Sequence, residues 1–286
     1  MIIEFSKYQG LGNDFILIDN RHLAEPIITP QQAIAMCDRH LGIGGDGVIF
    51  ALPGTESTDY IMRIFNSDGS EPEMCGNGIR CLAKFISDLE GNSDHNKSYK
   101  IQTPAGVMVP QLRSQDEVTV DMGEPELLAN KIPTTLEGVE GKVIAQSLEV
   151  AGRSWLVTTV SMGNPHCVIF VEDVQAIALE KIGSLFEHHP VFPQRTNTEF
   201  IQIVKPDYIK MRVWERGAGA TLACGTGACA SVVAGVLNQK CDRSCTVELP
   251  GGCLQINWSA ADNHVYMTGA ATKVFKGEYL LSQTDL

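Results

Sequence analysis

No stretch of the 286 residues approaches the roughly 18 consecutive apolar positions that a membrane-crossing helix requires, so the sequence argues against a helical membrane protein. Positive charge is also scarce. Lys and Arg number 22 against 34 Asp and Glu, a net charge of −12, which argues against a nucleic-acid partner, whose footprint would be a basic face. There are nine cysteines but no Cys-x-x-Cys pair, so zinc-ribbon spacing is missing, and no disulfide framework is expected in a chain of this length without a signal peptide. There is no Gly-Lys-Ser/Thr phosphate loop, and no Gly-x-Gly-x-x-Gly in a βαβ setting. Neither a metal nor an organic cofactor is expected. Residues 1–15 show no basic region followed by an apolar stretch, and the expected location is the cytoplasm, with a plastid after removal of a transit peptide as the alternative.

Two short segments match each other: Met74-Cys75-Gly76-Asn77-Gly78 and Ala223-Cys224-Gly225-Thr226-Gly227, each opening an apolar run. The match extends beyond the cysteines. Asn66 precedes Cys75 by nine residues and Glu215 precedes Cys224 by nine, while Gly12-Asn13-Asp14 is echoed by Gly163-Asn164-Pro165. Three correspondences in register point to an internal duplication. At 44% hydrophobic, the chain has enough apolar residues for two cores.

Short β-rich runs bounded by Gly, Pro, Asn or Asp dominate both halves, including Ile2 to Lys7, Phe15 to Asp19, Gly47 to Leu52, Tyr60 to Asn66, Tyr99 to Thr103 and Val107 to Leu112 in the first. A helix is expected after Thr29, where Pro30 and Gln32 complete a capping box, and another over about Val174 to His188. Ile79, Leu82, Ile86 and Leu89 place an amphipathic helix after Cys75; Ala228 to Leu237 is apolar all round, as in a helix enclosed by a sheet. The expected class is α+β, with two pseudo-symmetric domains, each a mostly antiparallel or mixed sheet wrapped around a central helix. The expected boundaries are 1–122, joined by 272–286, and 123–271.

A cysteine flanked by glycines at a strand-to-helix turn stands beside the free N–H groups of the helix N-terminus, where the helix dipole favours an anion such as a carboxylate. The same field stabilises a thiolate. Two such thiols suit a reaction that takes a proton from one face of a carbon and returns one to the other by general acid–base catalysis.

Six ordered motifs span the chain: Gly10-x-Gly12-Asn13-Asp14-Phe15; Asp38-Arg39-His40 with Gly42-x-Gly44-x-Asp46; Arg63-Ile64-Phe65-Asn66-x-Asp68-Gly69-Ser70; the first Cys-Gly-Asn-Gly; Gly163-Asn164-Pro165-His166; and Trp214-Glu215-Arg216-Gly217 through Cys224-Gly225-Thr226-Gly227. Together they resemble the diaminopimelate epimerases along the whole length. The resemblance implies a cofactor-independent epimerase that interconverts LL- and meso-diaminopimelate in lysine biosynthesis, with a homodimer as the family-level expectation. Position by position it implies Cys75 and Cys224 as acid/base thiols, with His166 and Glu215 tuning them. It further implies substrate contacts from Asn13, Asn66, Asn164 and Asn197, carboxylate grips at Gly76-Asn77 and Gly225-Thr226, and Glu215-Arg216 holding the ammonium and distal end. Gly47 departs from the Gln frequent in the family and is similar to the plant and cyanobacterial type.

Taken singly, each feature has a plainer reading. A glycine-flanked cysteine is more often a packing device, loop asparagines commonly bond their own backbone, and a lone His at a strand start is usually structural. His188 and His189 are expected to complement a helix end, and Cys81, Cys229 and Cys253 to be small buried hydrophobes. The competing functions are a proline or hydroxyproline racemase-type enzyme and, from another class, a thiol redox sensor.

Overall fold

The computed structural model describes residues 1–72, 75–113 and 116–281. They group into two units, Met1–Val120 with the segment from Gly269 onward, and Asp121–Thr268. In the first, β1 (Ile2–Gly10) and β2 (Asn13–Asp19) form a hairpin, and α1 (Pro30–Cys37) leads to β3 (Gly47–Thr55) and β4 (Thr58–Asn66). Then come α2 (Gly76–Glu90), β5 (Ile101–Thr103), β6 (Gly106–Met108), β7 (Gln111–Leu112) and β8 (Glu117–Asp121). The second unit runs β9 (Gln146–Val150), β10 (Arg153–Ser161), β11 (Pro165–Phe170), α3 (Leu179–Glu187), β12 (Asn197–Lys205), β13 (Tyr208–Glu215) and β14 (Gly219–Ala220). It continues through α4 (Gly225–Leu237), β15 (Ser244–Leu249), β16 (Gly252–Trp258) and β17 (Val265–Ala270), and the chain closes with β18 (Thr272–Leu280).

The units repeat one topology. The sheet order is β18-β1-β2-β3-β4-β5-β6 in the first and β9-β10-β11-β12-β13-β15-β16-β17 in the second. Parallel pairs fall at β2–β3 and β4–β5, and at the matching β11–β12 and β13–β15, so both sheets are mixed α+β layers. Parallel neighbours cannot be joined by a tight turn. Each of these crossovers carries a helix: α1 and α2 in the first unit, α3 and α4 in the second.

Strand alternation decides which helix each side chain meets. Ile16, Ile18, Val48 and Phe50 pack with Ala33 and Met36 of α1. Tyr8 meets Phe85 of α2 edge-on at 5.8 Å. The α1 N-terminus closes as the sequence predicts: Gln32 N donates to Thr29 Oγ1 and Thr29 N to Gln32 Oε1, a reciprocal cap worth about 1 kcal/mol. In the second unit Trp155, Phe186 and Phe200 meet edge-on at 5.7–5.8 Å and fix α3 to its sheet. Gly183 of α3 lies against the Trp214 ring so closely that a Cβ there would stand 2.4 Å from it. The apolar α4 packs against β10, β11, β12, β13, β15 and β16, which accounts for its uniform hydrophobicity.

Several details differ from the sequence expectation. The helix expected from about Val174 begins at Leu179. Arg212 donates to the carbonyls of Val174 and Ile177 at 3.2 and 2.9 Å, drawing them away from helical pairing, and Asp173 holds the Gln175 amide in a turn. The run Val107 to Leu112 divides into β6 and β7 before Pro110, which has no N–H to donate. β8, β9, β14, β17 and β18 lie outside the strand runs expected from the sequence; β18 pairs with β1 antiparallel and is exposed over much of its length. Cys253 is exposed on β16, because alternation turns Leu254 inward and Cys253 outward; Cys81 and Cys229 are buried.

Candidate active site

In the first unit the polar residues gather where β2, β3 and β4 meet the start of α2. A two-residue turn joins β1 to β2 with Leu11 and Gly12 at φ 58° and 83°, the left-handed conformations a tight hairpin needs. It delivers Asn13 to the start of β2. Asn13 Nδ2 donates to Asp46 Oδ2 at 2.6 Å, and the Asp14 amide donates to the same oxygen at 3.0 Å. Arg39 spans Asp14 and Asp46 at 2.7 Å each, and Lys7 pairs with Asp14 at 2.7 Å. Burial works to raise the Asp14 carboxyl, yet the bonds from Arg39 and Lys7 prevail and hold it below the usual range. The Gly-x-Gly-x-Asp motif thereby serves as the anchor of the Asn13 loop.

Cys75 is the N-cap of α2, at φ −138° and ψ 104°, and its half-buried sulfur accepts the Gly78 amide at 3.3 Å. Next to it, Asn77 Nδ2 donates to Asn13 Oδ1 at 3.1 Å, while Asn77 Oδ1 is buried with no partner. Asn66 ends β4 and donates to Ser70 Oγ at 2.9 Å across a tight turn. Its register partner is Gly47, where a Cβ would stand 2.8 Å from the Phe65 carbonyl oxygen. A side chain at 47 therefore requires this backbone to shift.

In the second unit Cys224 is the N-cap of α4 at φ −131° and ψ 107°, within a few degrees of the Cys75 conformation, but only 4% exposed. Burial raises its thiol well above the ordinary value, and the carboxylates of Glu215 and Glu199 raise it further; the Gly227 amide and the Thr226 hydroxyl, 3.7 Å away, offset this in part. His166 stands at the start of β11 and is fully buried. Its Nε2 lies 2.9 Å from Asn164 Oδ1 and its Nδ1 2.7 Å from Glu199 Oε1. Asn197, beside His166 on β12, donates to the Pro165 carbonyl at 2.8 Å and accepts the Arg216 amide at 2.9 Å. Glu215 accepts a short hydrogen bond from Thr221, and the Arg216 guanidinium donates to the Gln194 carbonyl at 3.2 Å.

The two thiols thus share a backbone setting and differ in what lies beneath them. A Cβ on Gly78 would meet Cys75 Sγ at 3.2 Å and Ile49 Cδ1 at 3.0 Å. On Gly227 it would meet Cys224 Sγ at 3.1 Å and Glu199 Oε1 at 2.7 Å. Ile49 and Glu199 occupy the same place in β3 and β12, two residues beyond Gly47 and Asn197. The registers agree: Gly47 lies opposite Phe15 where Asn197 lies opposite His166. An apolar Phe15 and Ile49 in one unit become an ionisable His166 and Glu199 in the other.

Within the first unit the structure joins Asn13 to Asn77 beside Cys75 and Gly76; within the second it joins Asn164 to His166, Asn197 to Arg216, and Thr226 to Cys224 at the start of Gly225 and α4. Asp46, Arg39 and Glu199 join these residues without being among the site residues expected from the sequence. For Asp46 and Arg39 the motif itself was the signal; for Glu199 it was a charged residue on a strand between Asn197 and the apolar pair Phe200-Ile201. A surface cavity of about 360 Å³ in the second unit, lined in part by Val174, Arg212, Thr221 and Pro250, does not include Cys224 or His166. No three His, Cys, Asp or Glu side chains among the described residues are placed to hold a metal ion, and no described helix is long and apolar enough to cross a membrane.

The family described as Diaminopimelate epimerase matches residues 5–128 and 158–274. A diaminopimelate epimerase of Gloeothece citriformis is 71% identical over 98% of this chain and 99% of its own length. One from Picosynechococcus is 70% identical, over 98% and 100%. Among solved structures, a phenazine biosynthesis protein of the PhzF family from Bacillus anthracis superposes with a TM-score of 0.69 at 17% identity, over 98% of this chain and all of its own. A hydroxyproline epimerase from Agrobacterium vitis gives 0.69 at 13%, over 97% and 91%. At those identities the structures show the shared fold alone. With its two cysteine-capped helices, its repeated mixed sheets and a family match covering most of its length, the chain belongs to the diaminopimelate epimerase family.

Proposed function

We propose that the protein interconverts LL- and meso-2,6-diaminopimelate, without an organic cofactor, by a two-base mechanism. Cys75 and Cys224 serve as the thiolate and thiol: one removes the α-proton, the other returns a proton to the opposite face of the same carbon. The observation that carries this reading is that both cysteines cap a helix in the same backbone conformation, at equivalent places in two units of one topology. The relatives named for this activity, about 70% identical over nearly the whole chain, support it.

The helix N-termini at Gly76-Asn77 and Gly225-Thr226 are suited to a carboxylate, because their free N–H groups and the helix dipole favour an anion that becomes enolate-like as the proton leaves. Asn13, Asn66, Asn164 and Asn197 supply neutral hydrogen bonds, and Glu215 with Arg216 supplies the charges that a zwitterion with a distal ammonium and carboxylate requires. His166 and Glu215 tune the thiols. The two units are read as the halves of a duplicated scaffold. A homodimer and a cytoplasmic location, or a plastid one, belong to the same proposal and rest on the family resemblance.

The test is conversion of purified LL-diaminopimelate to the meso form by protein dialysed free of pyridoxal phosphate, with proline and hydroxyproline assayed in parallel. Conversion of diaminopimelate alone supports the reading. Turnover of proline but not diaminopimelate would place the chain with the racemases, and redox-dependent partner binding with no isomerisation would favour the sensor.

A further inference from the structure

Glu199 is a fully buried carboxylate in the surroundings of Cys224 that none of the motifs assigns. Its side chain is 0% exposed. Oε1 is held by His166 Nδ1 at 2.7 Å, and Oε2 has no hydrogen-bond partner. Oε1 and Cys224 Sγ both lie within 3.1 Å of the point above Gly227 where a Cβ would stand, so only glycine leaves room for the two to approach. In the first unit that point faces Ile49, which has no proton to exchange.

A buried carboxylate with one bare oxygen is costly unless it is protonated or has a donor. The groups facing it are His166 and Cys167 on β11, Glu215 on β13 and Cys224 on α4. Burial raises the Glu199 carboxyl, His166 opposes this, and Glu215 adds to it. The net direction is upward, which favours the protonated Glu199 carboxyl.

We propose that Glu199 is a positioning residue that returns Cys224 to its thiol form after each turnover in which Cys224 has donated its proton. The inference rests on the reading of Cys224 as an acid/base thiol. In the step, the O–H bond of the protonated Glu199 carboxyl breaks and the S–H bond of Cys224 forms. Glu199 is left as a carboxylate bonded to His166, and a proton from water later restores the pair. No electron changes owner. The transfer runs downhill, because the Cys224 thiolate is the stronger base of the two. Cys75, which has taken the α-proton in such a turnover, returns it to water, and the cycle closes.

The test is Glu199→Gln, which keeps the volume and one hydrogen bond to His166 but has no proton to exchange. Resetting the free enzyme follows product release and limits kcat far more than kcat/KM. The expected result is a kcat lower by tenfold or more in both directions, with KM falling alongside it and kcat/KM within about threefold of wild type. Glu199→Asp is expected to recover part of the loss. In parallel, alkylation of Cys224 by iodoacetamide is followed against pH by peptide mass spectrometry. Without a carboxyl that ionises beside it as the pH rises, the Cys224 midpoint is expected to move down by one pH unit or more, with Cys75 unmoved. Equal losses in kcat and kcat/KM, or an unmoved Cys224 midpoint, would overturn the proposal. The alkylation arm needs no turnover: a wild-type protein that converts no diaminopimelate while its Cys224 midpoint still shifts in the variant would sink the epimerase reading and leave the Glu199–Cys224 coupling standing.

Discussion

His166 Nδ1 lies 2.7 Å from Glu199 Oε1, with both side chains fully buried on the parallel strands β11 and β12. The matching pair in the first unit is Phe15 and Ile49, buried and apolar on β2 and β3. One fold thus carries both an ionisable and an apolar solution at the same place. Substituting His166→Ala takes the His166 hydrogen bond from the buried Glu199 carboxyl and is expected to cost about 1–3 kcal/mol in urea unfolding. The double substitution His166→Phe with Glu199→Ile copies the first unit. It is expected to match or exceed wild-type stability, by up to about 4 kcal/mol, because an apolar pair escapes the desolvation cost. Its epimerisation rate should nonetheless fall by about tenfold or more, a barrier increase of at least roughly 1.4 kcal/mol. A double variant that unfolds as easily as His166→Ala would contradict this account.

The glycines after the two cysteines should respond differently to a methyl group. At Gly227 a Cβ would press on Glu199 Oε1 at 2.7 Å, and Glu199 is fixed by His166. Gly227→Ala is expected to cost about 1–3 kcal/mol as an overpacked site. At Gly78 the neighbour at 3.0 Å is the flexible Cδ1 end of Ile49. The helix gains about 0.5–1 kcal/mol from Ala over Gly, so Gly78→Ala should lie near zero net. Paired denaturation curves measure the difference; equal losses at both sites would argue against the asymmetry.

Asp14 should set part of the acid limb of stability. Bonds from Arg39 and Lys7 hold its folded carboxyl below the unfolded value of about 3.9, despite burial. A depressed folded value means that the stabilisation is fully present above the unfolded value and is lost as pH falls through the folded one. Asp14→Asn removes this dependence and, at neutral pH, leaves the buried Lys7 charge without its partner, so the variant starts lower and falls less steeply below about pH 4. Urea midpoints between pH 7 and 2.5 give the comparison, and parallel curves for the two proteins would be the contrary result.

Much of this architecture is legible in the residues because its signals are local. The Thr29 to Gln32 capping box and the Cys-Gly-x-Gly helix starts declare themselves within a few residues. Other features depend on distant partners. The first turn expected at Val174 is undone by Arg212, which is 35 to 38 residues away in sequence. β18 reads weakly because it is mostly exposed and takes its place by pairing with β1 at the opposite end of the chain. Glu199 is hidden for the same reason. A glutamate on a strand ordinarily points to solvent, and only the parallel pairing of β11 with β12 brings it to His166, 33 residues earlier.

The proposed two-base mechanism requires both the Cys75 and the Cys224 thiol. The most direct measurement incubates LL-diaminopimelate in deuterated water with wild type, Cys75→Ala and Cys224→Ala, and follows both meso product and deuterium at the inverted carbon. Wild type is expected to form meso product carrying one deuterium at that carbon, and each single variant to lose epimerisation by about a thousandfold or more, on the order of 4 kcal/mol in the barrier. Wild-type-like epimerisation by either variant would contradict it.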